Sequence, residues 1–170
     1  ALKTSQVAAL TTSQIAQGLS TNQIAALTTA QVVALTTKQA SELSSTQLAA
    51  MTTAQVKALE VEDLAKISTA AISALSSAQA ANLTTDQVVA LRTDQAAVLK
   101  TDQIAALTTD QLGALATAEL GQLTTDQIAA LDADMNQLGT SYMAVLTTAS
   151  IKGLTTTAIT GLSSDQVAAL

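Results

Sequence analysis

Residues 83–115 read LTTDQVVALRTDQAAVLKTDQIAALTTDQLGAL, four copies of one eight-residue unit and the leucine that opens the next. With the large aliphatic residue labelled a, the unit runs a to h as Leu, Thr, Thr, a variable residue, Gln, Ile or Val, Ala, Ala. Outward from this stretch the anchor recurs without a slip from Leu27 to Leu131, thirteen consecutive steps of eight. Two slips interrupt the frame: nine residues separate Leu10 from Leu19, with Gly18 as the insertion, and seven separate Leu131 from Leu138, where the Gln position is lost. Counting both, the 170 residues hold 21 units and a closing Leu170, so residues 1–170 are expected to form one tandem array. Both ends fall at repeat boundaries, which is what a segment of a longer tract would show.

What each position tolerates is more informative than the consensus. Position f is apolar or Ala in all 21 units, from Val7 and Ile15 to Val167. Position c is Ser or Thr in 19 of 21, the exceptions being Val61 and Ala133. Position b admits Lys3, Glu60, Arg92, Lys100, Asp132 and Gly139. By this pattern b faces water and c has a structural role.

A single straight helix cannot carry an octad, because eight residues at about 100° each overshoot two turns by roughly 80°. Supercoiling absorbs only mismatches near 3.5 or 3.67 residues per turn. A strand is no better, since Ala and Gln are weak strand formers and no period-two alternation is kept. Something must restart a helix in every unit. A Ser or Thr at c can do so as an N-cap, with d, often Asp, as the first helical residue at the positive end of the helix dipole. Positions b and e also fit a capping box; the weaker constraint at b favours c as the cap. Helices this short cannot stand alone, so the expected fold is all-α: a solenoid of very short helices, one per octad, continuous through the chain, with a and f inside. Larger polar residues at h (Gln17, Glu42, Lys66, Asn82, Gln122 and Gln137) recur mostly every two or three units, which suggests a superhelical turn of about 2–3 octads.

Composition removes most other classes. The chain lacks His, Cys, Pro, Trp and Phe, and its one aromatic residue is Tyr142. Without His or Cys the usual general base, thiolate nucleophile and soft metal ligands are missing, so no enzyme activity, catalytic residue, cofactor or metal is expected. Seven basic residues against 13 acidic ones leave a net charge of −6 with no basic stripe, which argues against nucleic-acid binding. Thr, Ser or Gln interrupts every apolar run, so no membrane span is expected.

Five features invite functional readings. Asp86, Asp94, Asp102 and Asp110 form a row in steps of eight; Ca²⁺ wants six to eight converging oxygens, and a row of surface acids favoured by the helix dipole is the simpler account. Asp132 and Asp134, at the shortened unit, are the one place to look for an ion. Gln occupies e in 14 of 21 units, either as a ladder of side-chain amides along the coil or as a good helix former near a helix start. Regular Thr rows suggest an ice-binding face, which Lys3, Glu60, Arg92 and Lys100 at b would roughen. Tyr142, in the usual Gln place beside the second slip, is expected to fill a packing gap.

LTTDQVVAL at 83–91 is similar to the opening of the DNA-binding repeats of transcription-activator-like effectors, but over one octad only; a chain that restarts at every eighth residue has no room for their base-reading pair. Over its whole length the LTT(A/D)Q(I/V)AAL pattern resembles tandem octapeptide repeats in large bacterial surface and adhesion-type proteins. That resemblance implies a secreted, extracellular or cell-surface location. It also implies a structural role as stalk, spacer or interaction scaffold, with protein or cell-surface partners held along the solenoid. The alternative is a ligand-binding array for ice or calcium.

Overall fold

The computed structural model describes residues 2–115, 121–131 and 135–170. Each described unit folds as a helix of four to six residues, or a short π or 3-10 turn, followed by a bend, and no strand occurs among the described residues. In the unit that opens at Leu83, Thr84 is extended (φ −74°, ψ 159°) and the helix runs Thr85–Val89. No described residue has a positive φ. The bends are therefore made by extended residues at a and b, a conformation open to any L-amino acid. That is why the bends among the described residues need neither Pro nor a Gly at each corner.

The restart is made at b, which corrects the expectation that c is the cap. Thr28, Thr36, Ser44, Thr52, Ser76, Thr84, Thr108, Thr124 and Ser163 each accept the backbone N–H of the Gln three residues on. The same Gln returns its Oε1 to the backbone N–H of b, as at Thr84 (3.1 and 2.8 Å for the two bonds). This is a capping box, and c is the first helical residue. Lys3, Arg92 and Lys100 have no acceptor to offer at b, yet their N–H groups still donate to Gln6, Gln95 and Gln103 at 2.6–2.9 Å. Half the box survives without a hydroxyl, so b tolerates long cations.

The coil places each helix against the helix three units on. Helix Thr29–Val33 packs on Thr53–Ala58, Thr37–Ser41 on Val61–Leu64, and Thr85–Val89 on Thr109–Ala114, all 24 residues apart. A turn thus holds between three and four octads, more than the two or three suggested by large residues at h. Position h is exposed or half-buried in every described unit, so its size does not report the turn. Inside, f and a form one continuous apolar cluster from Val7 to Ala158.

Both frame slips are absorbed without losing this partnering. Across the insertion, Thr4–Ala8 packs on Thr29–Val33, 25 residues away; across the deletion, Thr125–Ala129 packs on Thr148–Gly153, 23 away. The extra residue of the nine-residue unit is taken up in a π-helical turn, Gln14–Gly18, rather than at Gly18 alone. It leaves Ile15 buried and Leu19 at the next bend. The shortened unit makes a 3-10 turn at Met135–Gln137, and Met135 at f is buried.

The deletion draws two turns close together. A Cβ on Gly153 would lie 2.4 Å from Thr125 Cγ2 and 2.9 Å from the Thr125 carbonyl oxygen, whereas one on Gly113 would meet nothing within 4 Å. Gly153→Ala is expected to lower stability by about 1–3 kcal/mol through overpacking, and Gly113→Ala to raise it by roughly 0.5–1 kcal/mol through helix propensity. Urea unfolding followed by circular dichroism measures both, and equal effects would contradict the close approach at Thr125.

Candidate functional site

The feature that recurs through the coil is the glutamine at e. From Gln31 onward every described glutamine at e is buried, while the three before it are exposed. A buried amide must find partners for its oxygen and its nitrogen, and the octad supplies both. Gln87 Oε1 accepts from Thr84 N–H in its own unit. Its Nε2 crosses to the preceding turn and donates to the carbonyls of Val56 (3.0 Å), Lys57 (3.3 Å) and Leu59 (2.7 Å). Those carbonyls lie at the C-terminal end of helix Thr53–Ala58 and at the bend after it, where helix geometry leaves acceptors without an intrahelical donor.

The pattern repeats with the octad. Gln55, Gln79, Gln103, Gln111 and Gln166 each reach the carbonyls 31, 30 and 28 residues back. Where the interval crosses the insertion it lengthens by one: Gln39 reaches Val7, Ala8 and Leu10, which are 32, 31 and 29 residues back. Gln47 straddles the π turn and bonds Ile15 and Leu19 at 2.7 and 2.8 Å. Of the two readings open for Gln at e, the ladder is the one the structure adopts, and it is also a capping device.

Three described units whose ladder bond would cross the deletion carry no Gln: Tyr142, Ser150 and Ala158 stand at e. Tyr142 is buried in the apolar cluster, as its position beside the slip suggested. Its hydroxyl has no partner, and burial pushes its pKa up.

In the regular frame two other described units depart from Gln at e, with Ala71 and Asp63, and Asp63 is the charged one. It is buried on helix Val61–Leu64, and its Oδ2 has no hydrogen-bond partner. Burial raises its pKa above the ordinary carboxylate value; the Thr37 hydroxyl, donating from the preceding turn, opposes this, and Glu60 and Glu62 add to it. The helices packed against it carry Lys38 and Asp86, both exposed. By the ladder's spacing, Asp63 stands where an amide nitrogen would serve Val32, Val33 and Leu35.

The acidic row lies outside. Asp86, Asp94, Asp102 and Asp110 each sit one per helix in an exposed first turn. Asp94 pairs with Arg92 at 2.9 Å, which holds its carboxyl below the usual range. Among the described residues no group of three His, Cys, Asp or Glu side chains converges to hold a metal. The pair Asp132 and Asp134 lies outside the described residues. No helix among the described residues is long and apolar enough to cross a membrane.

A family model for the ALTTAQ repeat matches residues 17–45, 56–93, 104–140 and 135–170, well over half of the chain. The chain belongs to the ALTTAQ repeat family. Its tandem matches and all-helical coil mark a structural repeat protein. A comparison with curated proteins finds no match.

Four substitutions of this ALTTAQ array separate the roles of b, c and e. Gln87→Leu keeps the side chain's bulk but strips Thr84 N–H of its partner and leaves Lys57 and Leu59 carbonyls without the amide that serves them, so a loss of about 2–4 kcal/mol is expected. Thr108→Ala removes a cap and should cost about 1 kcal/mol, with Thr109→Ala costing much less. Lys100→Thr completes a half-formed box and should stabilise. Chemical denaturation ranks them, and a larger effect at Thr109 than at Thr108 would restore c as the cap.

Asp63 makes stability depend on pH. Because its folded pKa is raised, the protonated form is favoured by folding; its contribution is fully present below the ordinary aspartate value near ~3.9 and is lost as pH rises through the folded pKa. Asp63→Gln should abolish that loss and raise the melting temperature at neutral pH. Melting curves of both proteins across the acidic range check this; parallel curves at every pH would rule out the assignment.

Proposed function

We propose that the array is a spacer that holds other domains or partners at a set separation, in a larger bacterial protein at the cell surface or secreted from it. The observation that supports this is the unbroken joint from turn to turn: one apolar cluster from Val7 to Ala158, with side-chain amides crossing between turns along most of the coil. Such a coil transmits position along its axis, and its length is set by the number of octads. The surface location rests on the resemblance to octapeptide tracts of bacterial surface proteins, and partners held along the outer face follow from the same resemblance.

With ladder partners 28 residues apart, the 170 residues make roughly six turns. At the ~8–10 Å separation of packed helices, the coil is on the order of 50–60 Å long. Spin labels at Lys3→Cys and Asp165→Cys, both exposed positions, should give one narrow distance distribution near that length. Removing residues 51–106, seven whole octads, should shorten it by about two turns, ~20 Å, and keep it narrow. A broad distribution, or a distance indifferent to the number of octads, would exclude a spacer.

A further inference from the structure

Along the middle of the coil, position e sets an amide between an N–H of its own unit and the carbonyls of the turn before. Asp63 sets an acceptor there instead. The residue is 1% exposed, its Oδ2 has no hydrogen-bond partner, and among the described residues no lysine or arginine pairs with it.

Register fixes the groups opposite. Gln55, one unit earlier, reaches Ile24, Ala25 and Leu27, and Gln79, two units later, reaches Leu48, Ala49 and Met51. Between them the packing continues without a shift, Thr37–Ser41 on Val61–Leu64 and Ser45–Ala50 on Thr69–Ile72. The carbonyls that face Asp63 are therefore those of Val32, Val33 and Leu35. The Thr37 hydroxyl, two residues further on, bonds the same carboxyl. Val32 accepts the backbone N–H of Leu35, and among the described residues no side-chain donor reaches any of the three carbonyls.

Aspartate is one methylene shorter than glutamine, so the space that an amide nitrogen fills in the other rungs lies between Oδ2 and these carbonyls. The oxygens on both sides of it are acceptors. Acceptors that face one another repel, and a positive charge placed between them turns the repulsion into attraction. The surroundings add to the negative field: Glu60 and Glu62 flank Asp63 in its own unit, and Asp86 lies on the helix packed from the other side, against one exposed cation, Lys38, on Thr37–Ser41.

We propose that Asp63 Oδ2, the carbonyls of Val32, Val33 and Leu35 and the Thr37 hydroxyl bind one Ca²⁺ ion, which takes the place of the missing amide and ties the two turns together. All five groups are hard oxygens. Ca²⁺ accepts such ligands at about 2.3–2.6 Å in flexible geometry, whereas Mg²⁺ demands a near-ideal octahedron at about 2.0–2.1 Å. The absence of His and Cys bars soft ions and has no bearing on this one. With backbone carbonyls as most of its ligands, the site needs no convergence of acidic side chains, and it is separate from the exposed aspartates at d. It does not depend on the spacer role.

Calorimetric titration of calcium chloride into the chelator-treated 170-residue chain tests it. One ion per chain is expected, with a dissociation constant of about 10⁻⁴–10⁻³ M, the range of sites with little ligand charge. At ten times that concentration the melting temperature should rise by about 3–6 °C, and magnesium at equal concentration or sodium at equal ionic strength should not reproduce the rise. Asp63→Asn keeps the shape and removes the charge, and Asp63→Gln restores the usual rung; both should lose the bound ion and the melting response. Thr37→Val should retain the site but bind several-fold more weakly. In chelator-treated protein the proton has no competing cation, so the pH dependence of Asp63 given above holds there. No heat and no melting response would mean that water or a proton alone serves Asp63. That result, an equal response to sodium or magnesium, or a calcium response that persists in Asp63→Gln would each overturn the proposal.

Discussion

A buried primary amide that must satisfy both its ends is the constraint on which this coil depends. The glutamine at e closes the start of its own helix through Oε1 and the end of a helix one turn earlier through Nε2. Helices of four to six residues are almost all terminus, with most of their backbone donors and acceptors outside any intrahelical bond. Capping alone would serve the donors and leave the acceptors to water. By linking both problems through one side chain, the octad makes each cap depend on correct stacking, so local and long-range structure form together.

This coupling explains what the sequence shows plainly and what it conceals. The octad, its 21 copies, the helical turn in each described unit and the buried faces at a and f follow from periodicity and the tolerance of each position, because apolar burial imposes the pattern directly. The cap does not follow in the same way. Thr at b looks dispensable because Lys100 and Arg92 replace it, yet at both positions the bond from the b backbone N–H to Gln Oε1 remains. The constraint is written at e and had to be sought there. Thr at c, although nearly invariant, is the first helical residue, and it lies where the next turn crosses: Thr125 beneath Gly153, Thr37 beside Asp63.

The number of octads per turn is concealed for a related reason. It is set by which units meet, and the meeting is recorded in backbone carbonyls that every residue possesses. Only the donor is visible in sequence, as Gln. The environment of Asp63 is hidden likewise: as a letter it is one more acid in an acidic chain, and its burial among acceptors emerges only when the residue 28 positions earlier is known to lie opposite.

The two slips show how rigid the rule is. An inserted residue changes the separation of ladder partners from 28 to 29 but does not change which units meet, because the π turn takes up the excess within its own helix. The deletion is handled differently, bringing Gly153 close against Thr125. Across it the glutamines give way to Tyr142, Ser150 and Ala158, and the joint there is held by apolar contact, with Tyr142 and Ala158 in the core. The ladder resumes at Gln166, the first unit whose partner, Leu138, lies beyond the slip. Along the regular frame Gln is the usual residue at e, with Asp63 and Ala71 as the described exceptions, and in the three described units that span the deletion it is absent.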